Sequence, residues 1–412
     1  MSRSSLALGV VGVLLAAAEF TLGAAEWPQF HGPRRDNVST EAGLLEQWPP
    51  DGPKLLWTAK GIGHGFSSVA IAGGLIYITG NVGPDTVITA LDLEGKTVWT
   101  AKHGPADKHD RPGTRSTPTI DGDRLYHENS YANVVCLEAK TGKAIWSVDL
   151  LKKLNGRSPN WGHAESPLVD GNKVICVPGG ADAGLVALDK TTGETVWVCK
   201  DTTEKPGYAS PIAIDFGGVR QYVTMMEKSV VGVRADTGKL LWRAPHVAFA
   251  DETASTPIFH DRYIIVSTLP PGSAQCIELG GEGDAIAAKR AWQTNALANH
   301  HGGVLLVDGY IYGSNVTGKW VCLGLKTGQV MYTEDGVGKG SLTCADGMLY
   351  TYSENGGTVG LVKATPDGHT VISRFRIPAG GQGPCWAHPV VCGGRLYLRH
   401  GDFLFCYELR AK

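Results

Sequence analysis

One unit recurs along this chain and limits what it can fold into: an apolar strand, a Thr-Gly turn and a second strand that carries an aromatic residue. The fullest copy is ALDKTTGETVWVCK at residues 187–200. ALDLEGKTVWTAK at 90–102 and CLEAKTGKAIWSVD at 136–149 repeat the same order of residue types. A self-similar unit at a regular period is typical of repeat architectures, so we expect the repeat to decide the fold.

The aromatic position recurs about every 45 residues, the length expected of a four-stranded propeller blade. It falls at Trp57, Trp99, Trp146, Trp197, Trp242, Trp292, Tyr332 and Phe375. Between these positions, Asp-Gly or Gly-Gly pairs flanked by apolar runs predict β-hairpins. The last unit, which starts at His388, lacks an aromatic strand, and the strand at 53–60 lacks a preceding unit. The sequence therefore predicts an all-β, eight-bladed β-propeller of four-stranded antiparallel blades, closed by pairing of the N-terminal strand with the C-terminal blade.

Three segments follow from the composition along the chain. Residues 1–25 contain Arg3, a short apolar run and a Gly-Ala-Ala site, which predict a secretory signal peptide. Residues 26–52 read as an extended lead-in and 53–412 as the propeller.

No Cys lies near the cleavage site, so we expect an exported protein, periplasmic or secreted, without a lipid anchor or a membrane span. The net charge of -2 argues against nucleic acid as a partner, and we expect a monomer.

The A-x-D-x-x-T-G-K/E-x-x-W turn resembles the tryptophan-docking repeat of the pyrroloquinoline quinone (PQQ) dehydrogenase superfamily. That superfamily includes the propeller lipoprotein of outer-membrane assembly, and this chain looks closest to its uncharacterised secreted members. The resemblance covers residues 53 to the C-terminus. It implies that one set of aromatic residues packs over the Thr-Gly turns between blades: Trp99, Trp146, Trp197 and Trp242. It also implies PQQ with Ca²⁺ as a cofactor to consider, although the adjacent Cys pair of the alcohol dehydrogenases is missing from the sequence.

The candidate site lies where the repeats differ. The loops that lead into the first strand of each blade should meet around the central channel, and each carries a polar or ionisable side chain. We predict catalytic roles for His163, Glu165, Asp251 and His300. We predict ligand binding by His64, Arg115, Tyr208, His301, Lys339, Trp386 and His388. A metal held by His64, His163, His300 and His388 is a further candidate, provided that the imidazoles approach to bonds near ~2 Å.

These residues suit a small anionic or polyhydroxylated ligand, because cations and histidines outnumber carboxylates in the loops. A quinoprotein-type oxidoreductase is the enzymatic form of this hypothesis. The resemblance then implies Glu165 or Asp251 as the base, with Arg115 and Lys339 holding the quinone carboxylates. Two alternatives stay open: a non-catalytic envelope scaffold that binds a protein partner, and a carbohydrate lyase or hydrolase that uses the His and Tyr side chains.

Overall fold

The computed structural model describes residues 25–411, and within them it forms eight separate four-stranded antiparallel sheets. The predicted eight-bladed β-propeller is confirmed. Nearly all of the predicted signal peptide lies outside the described residues. The one α-helix of the described part, α1, is Leu150–Leu154, and two short 3-10 helices are Phe249–Asp251 and Gly283–Ala285. No helix within residues 25–411 has the length and apolar character needed to cross a bilayer.

Each blade is a meander whose first strand is the innermost. Blade 1 contains β2 (Ala70–Ala72), β3 (Leu75–Val82), β4 (Asp85–Asp92) and β5 (Thr97–Pro105). Blade 2 contains β6 (Thr119–Asp121), β7 (Arg124–Glu128), β8 (Asn133–Glu138) and β9 (Ala144–Asp149). Blade 3 contains β10 (Leu168–Asp170), β11 (Lys173–Cys176), β12 (Leu185–Asp189) and β13 (Thr195–Cys199). Blade 4 contains β14 (Ile212–Phe216), β15 (Val219–Met225), β16 (Ser229–Arg234) and β17 (Leu240–Pro245).

The second half of the ring repeats this arrangement. Blade 5 contains β18 (Ile258–His260), β19 (Tyr263–Ser267), β20 (Ala274–Gly280) and β21 (Ala287–Thr294). Blade 6 contains β22 (Leu305–Val307), β23 (Tyr310–Ser314), β24 (Trp320–Gly324) and β25 (Val330–Glu334). Blade 7 contains β26 (Gly340–Ala345), β27 (Met348–Ser353), β28 (Thr358–Lys363) and β29 (Val371–Arg376). Blade 8 contains β30 (Val390–Cys392), β31 (Arg395–His400), β32 (Phe403–Glu408) and, from the other end of the chain, β1 (Leu55–Lys60).

The ring closes through β1, which pairs antiparallel with β32, so that Lys60 lies opposite Phe403 and Trp57 opposite Cys406. The predicted closure is therefore confirmed. Pairing removes the open edges that blade 8 and β1 would otherwise present to solvent.

In five blades the glycine of the turn lies under a Trp of the neighbouring blade. Trp99 Nε1 donates to the carbonyl oxygen of Ala139 at 3.0 Å, and a Cβ on Gly142 would lie 2.5 Å from the Trp99 ring. Trp146 and Trp197 make the equivalent bonds to Lys190 and Ala235 in the next blade. The turn thus requires glycine both for close approach and for its left-handed backbone.

Trp242 departs from this pattern. Its Nε1 donates to Gln221 Oε1 at 2.8 Å, within its own blade. Blade 5 carries the sequence GGEGDA at 280–285 where other blades carry the Thr-Gly turn. In this blade, the Gln221 side chain therefore replaces the backbone carbonyl that accepts the Nε1 hydrogen bond of Trp99, Trp146 and Trp197.

The first half of the lead-in, 27–38, lies along the propeller axis. Trp27 bridges to Ile71 in blade 1, and Val38 bridges to Cys344 in blade 7. Between them, the buried Arg35 guanidinium donates to the carbonyl oxygens of Ser166 and Pro211, in blades 3 and 4. This half therefore occupies the central channel and gives the cavity above it a floor, whereas the second half runs outward, where Trp48 packs against Phe375 in the outer strand of blade 7.

Candidate functional site

A cavity of about 300 Å³ opens at the face where the loops lead into the inner strands. Six of the predicted residues line it: Arg115, Tyr208, His300, His301, Trp386 and His388. The other lining residues are Phe30, Phe66, Asp110, Arg111, Trp161, Ala164, Glu252 and Ala254. We call this cavity the funnel. Loops from most blades and the lead-in converge on it, as the repeat pattern predicted for the loops.

His300 is held between a carboxylate and an ammonium group. Its Nε2 lies 2.6 Å from Glu252 Oε2, and its Nδ1 lies 2.8 Å from Lys339 Nζ. Lys339 also pairs with Glu354 Oε1 at 3.1 Å. Because a carboxylate only accepts and an ammonium only donates, His300 carries its proton on Nε2 and is neutral. The result is a hydrogen-bonded chain from Glu354 through Lys339 and His300 to Glu252 at the wall of the funnel, in which one ammonium stands against two carboxylates.

Aromatic rings form much of the remaining wall. The His301 ring centroid lies 4.2 Å from that of Trp386, and Phe66 lies 4.8 Å from Trp386 on the other side. Trp386 Nε1 donates to Glu354 Oε2 at 3.2 Å, so the indole is fixed by the same carboxylate that holds Lys339. Burial, together with the nearby His300 and Lys339, holds the pKa of His301 well below its usual value. This face of the funnel is therefore aromatic and uncharged.

Arg115 is already paired inside the protein. Its Nη1 donates to Asp107 Oδ2 at 2.8 Å, and its Nη2 donates to the carbonyl oxygens of Asp110 and Arg111. Burial would raise the pKa of Asp107, but hydrogen bonds from His109 and Arg115 outweigh it and hold that pKa below its usual value. The guanidinium consequently has few donors left to grip a ligand carboxylate.

The floor of the funnel comes from the lead-in, which the sequence analysis did not assign to the site. Phe30 stacks on His31 with ring centroids 3.8 Å apart, and His31 Nε2 lies 2.9 Å from His388 Nδ1. His388 Nε2 lies 3.0 Å from the carbonyl oxygen of His301, which can only accept, so His388 accepts the proton of His31 at Nδ1. Burial lowers the pKa of His388 to about 4. The sequence feature that could have indicated this floor is the run of aromatic and polar residues WPQFHG at 27–32.

Several predicted residues do not line the funnel. His163 and Glu165 are buried behind its wall, and Ala164 between them faces the cavity, as expected where successive side chains of an extended segment alternate. Asp251 has a left-handed backbone with φ of 62°, and its neighbour Glu252 takes the lining position. Lys339 reaches the funnel only through His300, and His64 lies behind Phe66, with ring centroids 5.4 Å apart.

The four-histidine metal site is not formed. Within residues 25–411, two other groups bring three donor atoms within 4.8 Å of one another. One is Glu252, His300 and His301 in the funnel, and the other is Glu128, His163 and Glu165 behind its wall. His388 is not available as a metal ligand, because both of its ring nitrogens are hydrogen-bonded, one to His31 and the other to the His301 carbonyl oxygen.

We call Glu128, His163 and Glu165 the buried cluster. His163 Nδ1 lies 3.0 Å from Glu128 Oε1, and Glu165 Oε1 accepts from the Val177 amide at 2.6 Å. Burial raises the pKa of Glu128 to about 8. Burial and the neighbouring Glu128 raise the pKa of Glu165 well above its usual value, and burial lowers that of His163 to about 4.

A family model of PQQ-like repeats, described as outer membrane protein assembly factor BamB, matches residues 84–334, more than half of the chain. The chain belongs to this family. Two curated relatives are the quinoprotein alcohol dehydrogenase PedH of Pseudomonas putida, 32% identical over 37% of this chain, and a quinoprotein ethanol dehydrogenase of Pseudomonas putida, 31% identical over 32% of it. The chain covers only 26% and 22% of their respective lengths.

Two solved structures share the fold of this PQQ-like propeller. BamB from Moraxella catarrhalis matches with a TM-score of 0.62 at 16% identity, covering 86% of this chain and 99% of that one. Quinohemoprotein alcohol dehydrogenase from Comamonas testosteroni matches with a TM-score of 0.66 at 12% identity, covering 93% of this chain and 80% of that one. At these identities the likeness extends to the fold alone.

Proposed function

We propose that the funnel binds a polyhydroxylated, carbohydrate-class ligand. The observation that carries the proposal is the combination of an aromatic wall with a hydrogen-bonding chain, Glu252–His300–Lys339, whose ammonium is already paired with Glu354 and whose Glu252 carboxylate faces the cavity. The funnel volume of about 300 Å³ suits a ligand of one or two rings, at the small end of ligand pockets.

The two predicted ligand-binding cations are paired, which favours a neutral ligand over an anionic one, and the charge of a further cation of the lining, Arg111, is offset by Asp110 and Glu252 of the same lining. Arg115 is neutralised by Asp107 and Lys339 by Glu354, at 2.8 and 3.1 Å. An anion would have to compete with these internal carboxylates for donors already in use, and breaking a partly buried ion pair is costly. Hydroxyl groups, which both donate and accept, can add to Glu252 without breaking any of these bonds.

The aromatic wall suits the C–H faces of a sugar ring. Phe66, Trp161, Tyr208 and Trp386 surround the cavity, with the rings of Trp161 and Tyr208 5.8 Å apart. Such rings supply a large, rigid contact area with few rotatable bonds. Glu252, with His300 behind it, is then the group placed to accept a hydroxyl proton, which would also serve a lyase or hydrolase reaction.

The residues of the funnel do not fit PQQ held by Ca²⁺, the cofactor suggested by the names of the quinoprotein relatives. The several carboxylates of the quinone need free cationic donors, whereas Arg115 and Lys339 are each bonded to an internal carboxylate, which leaves Arg111 among the described cations of the lining. Ca²⁺ needs six or more oxygen ligands, and Glu252 is flanked by His300 with Lys339 behind it. The funnel therefore lacks the donor set that this cofactor requires.

The test is calorimetric titration with neutral oligosaccharides and with their uronic acid counterparts, followed in parallel by tryptophan fluorescence. We expect the neutral sugars to bind, and Trp386→Ala to weaken binding about 10-fold or more because it removes the stacking face. Trp146→Phe is the control, because Trp146 is one of the tryptophans that pack over the turns between blades, a set we call the girdle. It should leave ligand affinity unchanged. Tighter binding of the uronic acids would overturn the preference for a neutral ligand, and binding of neither class would overturn the proposal.

A second candidate, a protein-binding scaffold, is supported by one exposed group near the funnel rim. Phe249 is 67% exposed, and the residues after it, Ala250 and Asp251, both have left-handed backbones. A large exposed aromatic on a strained loop is a common anchor for a protein partner. Pull-down from an envelope fraction with the wild type and Phe249→Ala tests it. A partner retained equally by both forms would contradict this role for Phe249.

A further inference from the structure

The buried cluster brings three metal-ligating side chains from two blades to one point. Glu128 ends β7 in blade 2, whereas His163 and Glu165 precede β10 in blade 3. Their donor atoms all lie within 4.8 Å of one another, and each of the three side chains is at least nine-tenths buried. Ligands of one tetrahedral ion with bonds near ~2.0–2.1 Å lie about 3.3 Å apart, so this cluster is close to the required spacing.

The donor atoms of the cluster have no other use. Among residues 25–411, no hydrogen-bond partner is found for Glu128 Oε1, Glu128 Oε2, Glu165 Oε2 or His163 Nε2. Although His163 Nδ1 and Glu128 Oε1 are 3.0 Å apart, they are not aligned as donor and acceptor. Two atoms that are close but not aimed at each other are what two ligands of a common ion require.

A shared proton does not satisfy the same set of atoms. A proton shared between the two carboxyl groups, with the Cys176 thiol beside Glu128, would engage carboxyl oxygens but would leave His163 Nδ1 3.0 Å from Glu128 Oε1 without an aligned hydrogen bond. Buried polar atoms left unpaired in this way cost free energy, and in native proteins nearly all find partners. A cation engages both carboxylates and the imidazole at once.

The surroundings define the class of ion. The buried thiol of Cys176 adjoins both carboxylates and interacts with Glu128 most strongly. Arg35 lies near Glu165, but its guanidinium donors go to Gln29 and to backbone carbonyl oxygens, including those of Ser166 and Pro211. The two carboxylates balance the charge of a divalent ion, and Cys176 offers a sulfur atom beside it. Mixed imidazole, carboxylate and thiol donors select zinc-class ions over Ca²⁺ or Mg²⁺.

We propose that Glu128, His163 and Glu165 form a structural site for a divalent zinc-class metal ion between blades 2 and 3, with Cys176 beside it. The site is separate from the funnel, from which the backbone of 163–165 divides it, with Ala164 on the funnel side. It fixes the loop of blade 3 to the second strand of blade 2.

The experiment measures the metal content of the full mature chain, produced with Zn²⁺ supplied and dialysed to remove loosely bound metal. We expect about one equivalent of zinc per chain for the wild type and less than a tenth of that for Glu165→Gln or His163→Gln. The matched control is Glu252→Gln, which alters the other three-donor group and should retain the zinc. Folding of every variant is checked by circular dichroism.

Two results would overturn the proposal: wild-type protein that takes up no zinc-class metal, or zinc that is lost in Glu252→Gln but kept in Glu165→Gln. If a buried-cluster variant does not fold, the site is tested instead by the absorption spectra of the wild type and of Cys176→Ser loaded with Co²⁺. A tetrahedral cobalt spectrum whose intensity changes in Cys176→Ser supports the site. A spectrum unaffected by Cys176→Ser but abolished by Glu252→Gln contradicts it.

Discussion

Glu252, His300 and His301 in the funnel, which we call the funnel group, are of the same residue types as the buried cluster, yet their surroundings give them different chemistry. In the funnel, Glu252 and Lys339 occupy both ring nitrogens of His300, and Glu354 balances Lys339. In the buried cluster, His163 Nε2 and both oxygens of Glu128 find no partner among residues 25–411. The Lys339 ammonium, bonded to His300, therefore makes one Glu–His group a hydrogen-bonding site. Arg35, the cation near the other group, directs its donors to Gln29 and to backbone carbonyl oxygens and leaves the Glu and His side chains as ligands for an ion.

Removal of metal should produce the largest difference between the two regions. Stripping the ion with a chelator should lower the free energy of unfolding by about 3 kcal/mol or more, because three buried polar groups lose their common partner. Chemical denaturation with and without chelator measures this. Glu165→Gln should already be destabilised and should not respond to the chelator, whereas Glu252→Gln should respond like the wild type. An equal response of Glu165→Gln would show that the chelator acts elsewhere.

Acid should weaken the floor of the funnel. Burial lowers the pKa of His388 to about 4 and that of its partner His31 well below the usual value. Since the unfolded chain takes up these protons near pH ~6.5, their contribution is complete above that pH and is lost as the pH falls toward about 4. We expect a loss of about 2–3 kcal/mol over this range at most, from His388 alone. In thermal denaturation, His388→Gln should flatten this dependence, and an unchanged slope would contradict the assignment.

Replacement of the Lys339 ammonium should make the funnel group behave more like the buried cluster. Lys339→Met frees His300 Nδ1 and leaves Glu252 next to an imidazole without a cation behind it. Ligand affinity should fall about 10-fold, the cost of one charged hydrogen bond in the chain, and a second equivalent of zinc should bind. Lys339→Arg keeps the charge and should bind only the first equivalent. Absence of the second equivalent in Lys339→Met would show that the ammonium is not what excludes metal.

The smallest effect should come from the girdle, which serves neither region directly. Trp146→Phe removes the hydrogen bond to the Lys190 carbonyl and should cost about 1 kcal/mol of stability. Metal content and ligand affinity should not change. A change in either would mean that blade docking controls the sites.

The repeats were predictable because each blade is specified locally. The Thr-Gly turns, hairpin pairs and aromatic spacing lie within about 45 residues of one another and report on short-range structure. Even the closure of β1 onto β32 follows from counting strands, since one blade is short by one and one strand is left over.

The site was predicted only in part because single-residue geometry decides it. The predicted loops meet around the funnel, but Glu252 lines it instead of Asp251, and Ala164 instead of His163 or Glu165. Around Ala164, side chains of extended backbone alternate between two faces, so a shift of one residue exchanges cavity for interior. Asp251 instead ends a short 3-10 helix in a left-handed conformation, which the sequence did not indicate. Phe30 and His31 could not be found in this way, because they reach blade 8 through contacts that have no counterpart in any other repeat.

The path of the lead-in also sets the order in which the molecule can be completed. Within residues 27–60, Trp27 pairs with blade 1, but Val38 and β1 pair with blades 7 and 8, which are synthesised last. Contacts between distant parts of a chain form slowly, and those with blades 7 and 8 must wait for the final strands. A nascent or truncated chain can contain finished blades, but it has neither the funnel floor of Phe30 and His31 nor a closed ring. Ligand binding would then be acquired in a single late step, when the C-terminus arrives, rather than growing blade by blade.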